Sequence, residues 1–155
     1  MAILDSIIAR AKQNKQRIVL PEGTEERTLK AADQILAEGI ANIILLGNPN
    51  EINKLASEFG LKNISKATII DPENNPNSQK YIDLLLQLRQ RKGLQPEQAV
   101  ELVKDPLYLA CLLVKAGDAD GEVAGAKNYT GNVLRPAFQI IKTRQGAKCV
   151  SGAFL

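Results

Sequence analysis

Residues 17–60, RIVLPEGTEERTLKAADQILAEGIANIILLGNPNEINKLASEFG, contain two successive strand–helix units, and their reading decides the fold. The first opens on RIVL, a short apolar run closed by Pro21. Thr24 is placed to cap a helix running toward Glu38, and Gly39 is its stop. The pattern returns at once in residues 41–46, ANIILL, a near-continuous apolar strand after which Gly47 turns the chain. Asn48-Pro49-Asn50-Glu51 then supplies an N-cap, a proline at the first helical position and a capping-box glutamate, for a helix ending near Gly60. Continuous apolar strands, in place of strict alternation, are those buried on both faces by helices.

Working outward, residues 67–70 form a third strand that stops at Asp71-Pro72, and the polar loop DPENNPNSQ (71–79) leads into a helix over 78–91. Tyr81, Leu84, Leu85 and Leu88 share one face of that helix. Further helices are predicted over 96–104 and from an Asp105 cap, with Pro106 at its first position, to Gly117. Residues 122–125 are strand-like but short, 132–143 helical, and 148–155 strand-like again. The fold class is therefore α/β, a three-layer sandwich with a mostly parallel sheet. The chain finishes at VSGAFL inside an apolar strand pattern, as an excised fragment would.

Composition excludes several classes of function. The chain of 155 residues is 45% hydrophobic and 24% charged, as a globular domain with a real core requires. Its net charge of +3 is spread among interspersed acidic residues and its aromatics amount to 4%, so no basic stripe with stacking rings marks a nucleic-acid partner. No apolar run approaches the ~18 residues of a membrane span. The opening MAILDSIIARAKQNK places Ile3, Leu4, Ile7, Ile8 and Ala11 on one face of an amphipathic helix and is not a signal peptide. Histidine is absent, which removes the commonest general base and metal ligand. No metal site is expected. Cys111 and Cys149 stand far apart in apolar contexts and read as buried, reduced core thiols of a reducing compartment.

The chemistry concentrates in residues 121–137, GEVAGAKNYTGNVLRPA. Ligands of open α/β sheets gather at the carboxyl ends of strands. Gly125 follows such a strand end and leaves room for close backbone approach, Lys127, Asn128, Tyr129 and Thr130 offer donors, and Gly131 permits a turn. Asn132 would cap the next helix, with Arg135 in its first turn, where the dipole already favours an anion. An arginine there calls for an offset, either a bound anion or a carboxylate in a salt bridge.

The segment 117–143, GDADGEVAGAKNYTGNVLRPAFQIIKT, resembles the signature of the phosphate acetyltransferases, in which a GDADG turn, a VAGA strand end and an LRPA helix start follow in this order. RIVLPEGTEERTLKAA, ILLGNP and LRQRKG (88–93) are similar to the amino-terminal half of that family, whose members are about twice as long as this chain. The resemblance implies a two-domain enzyme that transfers an acetyl group between coenzyme A and phosphate, with residues 1–147 an incomplete amino-terminal domain and 148–155 the start of a strand leading into an absent second domain. The substrates would be acetyl-CoA, phosphate and acetyl phosphate, with no metal or prosthetic group and coenzyme A itself a substrate. It further implies a catalytic role for Arg135 and substrate binding by Arg89, Gly125, Asn128 and Thr130; Arg91 and Lys92 read first as a solvated charged helix end, with contact to the coenzyme's phosphates the alternative. A cytoplasmic homodimer is expected of the full-length protein. The thiol base is expected in the absent half, so that this piece alone is inactive. Lys127, Tyr129 and Asn132 depart from the family's usual residues, and Tyr129 would narrow the pocket. A phosphate butyryltransferase and a non-catalytic acyl-phosphate or coenzyme A binding module are the alternatives.

Overall fold

Four parallel strands in the order β3-β2-β1-β4 form the sheet of the computed structural model, which describes residues 2–147, 149 and 150. They are β1 (Arg17–Leu20), β2 (Asn42–Leu46), β3 (Thr68–Ile70) and β4 (Gly121–Glu122). Ile18 of β1 faces Ile43 of β2 on one side and Gly121 of β4 on the other, and Leu45 pairs with Ile69 of β3. The chain therefore steps from β1 outward through β2 and β3, then returns to lay β4 on the opposite edge of β1. The switch point of the sheet lies between β1 and β4.

Alternation along the strands sends side chains into two separate cores. Leu20, Ile43 and Leu45 pack with Leu29, Ala32 and Leu36 of α2 (Glu26–Glu38) and with Ile52 and Ala56 of α3 (Pro49–Glu58). Val19, Ile44 and Leu46 pack on the other face, against α4 (Ser78–Arg89), α5 (Pro96–Lys104) and α6 (Pro106–Ala116), whose residues 107–113 are buried without a break. Each fully buried leucine, such as Leu29, Leu45, Leu109 or Leu112, contributes roughly 1.5–3 kcal/mol of apolar transfer. The three layers are the ones the sequence predicts. At the amino terminus α1 (Ala2–Gln13) leaves Ile3 and Leu4 exposed.

Local departures have local causes. The first turn of α2 is capped by Glu25, whose carboxylate accepts from the Thr28 N–H at 2.8 Å, and not by Thr24. Asn48 caps α3 as predicted, accepting from Asn50 and Glu51, and Asp105 caps α6 through Leu107. The helix predicted over 132–143 is α7 (Thr130–Pro136) followed by a π-helical turn, Ala137–Ile141. Pro136 has no N–H to continue the α pattern, and the Lys142 N–H instead reaches the Ala137 carbonyl. Strand β4 is two residues long because its continuation leaves the sheet to form the loop described below. The strand expected over 148–155 falls largely outside the described residues. Cys111 is buried, but Cys149 is exposed, beyond the last residue of the core, Ile140.

Candidate functional site

The carboxyl ends of β1, β2 and β4 meet the amino-terminal turns of α3 and α6 around a cleft of about 500 Å³. Pro21 and Glu22 follow β1; Leu46, Gly47 and Asn48 follow β2; Asp105 to Tyr108 open α6; Lys127, Asn128, Asn132 and Arg135 come from the segment after β4. A crevice at a topological switch point is where open α/β sheets bind ligands.

The loop after β4 is shaped by an anion, and that anion is the protein's own. Glu22 is buried, and its Oε2 accepts from the backbone N–H groups of Gly125 (3.0 Å) and Ala126 (2.7 Å). Its Oε1 accepts from the N–H groups of Lys127 and Asn128, both at 2.7 Å, and from Asn128 Nδ2 at 2.9 Å. Burial raises the pKa of this carboxyl, but the converging donors outweigh it and hold the group at about 2. Gly125, at φ +110, supplies the left-handed conformation that turns successive N–H groups inward. The Arg27 guanidinium donates to the Ala126 carbonyl and, at 2.7 Å, to Glu25, so the loop is pinned from its other side as well.

The structure separates the residues singled out in the sequence. Arg135 and Asn128 line the cleft, together with Lys127. Gly125 contributes its N–H to Glu22 and does not line the cleft, and Thr130, the first residue of α7, is exposed outside it. Tyr129 is 85% exposed and does not narrow the cleft. Arg89 lines a smaller hollow of about 240 Å³ with Lys92, Gln98 and Gln139. Between the two cavities the Tyr108 hydroxyl donates to Gln139 Oε1 at 3.0 Å. Burial raises the Tyr108 pKa against the opposing pull of Arg135 and Arg89, so both guanidinium groups act on this one phenol.

Arg135 is the sixth residue of α7, in its last turn, because the helix starts at Thr130 and not at the expected Asn132 cap. The dipole argument for an offsetting anion consequently does not apply. Neither Arg135 nor Lys127 takes part in an ion pair among the described residues. Two cations, Lys127 and Arg135, line the cleft together with three carboxylates: Asp105 is spent on the α6 cap, Glu22 on the loop, and Glu51 in the first turn of α3 is exposed. The cleft can receive an anion through side chains, although its backbone donors are taken. Among the described residues no group of three or more His, Cys, Asp or Glu is placed to hold a metal ion, and no helix is long and apolar enough to cross a membrane.

Glu22, Tyr108 and the α6 amino terminus were not singled out as site residues in the sequence. The signal available was the position of Glu22, a carboxylate just past the carboxyl end of a buried strand, which is where such sheets carry their sites.

Known proteins share both the sequence and the fold of this chain. The family model described as phosphate acetyl/butaryl transferase matches residues 2–155. The phosphate acetyltransferase of Thermoanaerobacterium thermosaccharolyticum is 54% identical over the whole chain, and that of Clostridium acetobutylicum 47%; in both cases the chain covers 46% of the relative's length. Among solved structures, a phosphotransacetylase from Streptococcus pyogenes superposes with a TM-score of 0.90 at 32% identity, over 96% of this chain and 44% of the other. The EutD phosphotransacetylase from Staphylococcus aureus gives 0.88 at 36% identity, over the same shares. The chain spans about half the length of the curated relatives it matches. With its family model covering nearly every residue and its three-layer fold shared with solved phosphotransacetylases, the chain belongs to the phosphate acetyl/butaryl transferase family.

Proposed function

We propose that this chain supplies one wall of an acetyl-transfer cleft, in a protein that interconverts acetyl-CoA plus phosphate with coenzyme A plus acetyl phosphate. The observation that carries the reading is the pair of cations, Arg135 and Lys127, without ion-pair partners among the described residues, at the switch-point cleft of a chain of this family. In the direction of thioester synthesis the coenzyme thiolate attacks the carbonyl carbon of acetyl phosphate, and the C–O bond to phosphate breaks. Negative charge grows on the carbonyl oxygen and on the departing phosphate, and a guanidinium beside either lowers the barrier. Asn128 Nδ2 is held by Glu22, which leaves its side-chain oxygen as the group free to orient a donor of the substrate.

Glu22 at the cleft and Cys111 in the buried face of α6 are poor bases for the thiol proton. Glu22 has both oxygens occupied by donors, and burial beside Glu122 pushes the Cys111 thiol up, out of range of a thiolate. We assign the base to the part of the relatives' length that this chain does not span, together with the main subunit contact of a homodimer. Acetyl is favoured over butyryl by the names of the curated relatives. A cytoplasmic setting is supported by the reduced, buried Cys111.

The test is Arg135→Ala in the full-length protein, followed by ultraviolet absorbance of the thioester formed. A loss of ~2–4 kcal/mol in transition-state stabilisation, roughly 30- to 800-fold in kcat/KM, is expected. Unchanged kinetics would return Arg135 to the solvent-exposed surface.

A further inference from the structure

Four consecutive backbone N–H groups turned toward one point make a nest for an anion, and in this chain Glu22 fills it. The backbone next to Glu22 is held from behind. Gly23 donates its N–H to the Leu46 carbonyl at 3.2 Å, and a Cβ on Gly23 would lie 2.4 Å from that same oxygen. β1 and β2 therefore set the position of Glu22, Glu22 sets the loop, and the loop carries Lys127 and Asn128 into the cleft opposite Arg135. Asn128 is gripped through both its backbone and its side chain.

We propose that Glu22 is a positioning residue of the cleft: it closes the 125–128 nest to substrate phosphate and presents Lys127 and Asn128 to it. This rests on the acetyl-transfer reading for its kinetic consequence, but the geometry of the latch does not. It divides the labour at the site, so that the substrate anion is met by side chains while the backbone donors remain bound to the protein. A bound phosphate would then lie toward Arg135 and Lys127, outside the nest.

The distinguishing experiment uses Glu22→Ala and Glu22→Gln in the full-length protein. Alanine empties the nest and leaves space for a small carboxylate. Glutamine fills the space but turns an NH2 group toward two of the donors, so it folds with the nest half satisfied and blocked. Both variants should raise KM for acetyl phosphate about ten- to a hundredfold, the scale expected when positioning groups are displaced by about an ångström. Formate should restore Glu22→Ala toward the parent value and leave Glu22→Gln unchanged. A stabilising but non-positioning glutamate would lower the melting temperature without a formate-dependent KM. Parent-like KM in a folded variant, or no response of Glu22→Ala to formate, overturns the proposal.

A second readout is independent of turnover. With glycine and alanine nitrogens isotopically labelled, the amide proton signals of Gly125 and Ala126 should stand downfield in the parent protein. They should move upfield in Glu22→Ala and return on adding formate. Amide signals that ignore Glu22 sink the latch even if acetyl transfer is demonstrated; signals that follow it uphold the latch even if acetyl transfer is not.

Discussion

Two glutamates one strand apart illustrate how environment sorts identical side chains. Glu22 has five donors on its two oxygens and stays ionised, whereas Glu122 has a buried Oε1 with no partner among the described residues and, on Oε2, the Cys111 thiol at 3.2 Å. Burial raises the Glu122 pKa, the thiol hydrogen bond lowers it, and the charge of Glu22 raises it again, for a net upward shift. The folded pKa exceeds the unfolded one, so the favourable contribution is complete below the ordinary carboxylate range and is lost as pH rises through the folded value. Glu122→Gln should therefore stabilise the protein at neutral pH by about 1 kcal/mol, since it keeps an acceptor for the thiol without a charge to bury. Urea midpoints of the two proteins should converge as the pH is lowered, and a constant gap would refute the assignment. That Arg135 and Asn128 share one segment at a strand end was legible in the sequence, because the segment carries its own turn and donor residues, although Arg135 lies in the last turn of α7 and not the first. Glu22 was not, because its partners lie 103 to 106 residues away and a lone glutamate after a strand has the same local signature whether solvated or latched.

Elements with local punctuation were readable throughout. Asn48 and Asp105 cap their helices with side chains two or three residues from the groups they satisfy, and the prolines at 49 and 106 mark the first turns. Errors came where the deciding contact is tertiary or the pattern is broken from within. Residue preference selects Thr24 as the cap, but Glu25 takes that place, with its carboxylate also drawn to Arg27, which reaches across to the Ala126 carbonyl. The segment after Asn132 reads as a uniform amphipathic helix until Pro136 interrupts its hydrogen bonding. The β1–α2 turn is the element on which the site most depends. Gly23→Ala would force backbone against backbone at Leu46, and should cost about 1–3 kcal/mol of stability in a denaturant titration. Any such shift also displaces Glu22, so amide signals of the 125–128 loop should broaden or move in the same variant. A fully stable Gly23→Ala protein would show that the turn yields more readily than its packing indicates.

For the whole molecule, the acidic limb of stability follows from the carboxylates that the fold holds ionised. Glu22 is held at about 2 by its converging donors, and Asp120 at about 2 by side-chain and backbone hydrogen bonds from Arg17. Both folded values lie below the unfolded ones, so their contribution is present above the ordinary carboxylate pKa and disappears as pH falls from there toward 2. Glu22 alone accounts for roughly 3 kcal/mol of this dependence. Denaturant midpoints should decline across that window, and Glu22→Gln should flatten the decline. The three-layer architecture itself was legible because β1, β2 and β3 and their helices follow one another along the chain. The edge strand β4 was harder to size, since its two residues are defined by pairing with a strand a hundred positions earlier. That separation has a kinetic consequence. Strands β1 to β3 close short loops and can assemble while the rest of the chain is still unfolded, whereas the β1–β4 pairing, the Arg17–Asp120 pair and the Glu22 latch all close the same long loop. This end of the sheet is thus tied by one long loop closure, and its three contacts support one another, so that losing any one of them makes the other two easier to open.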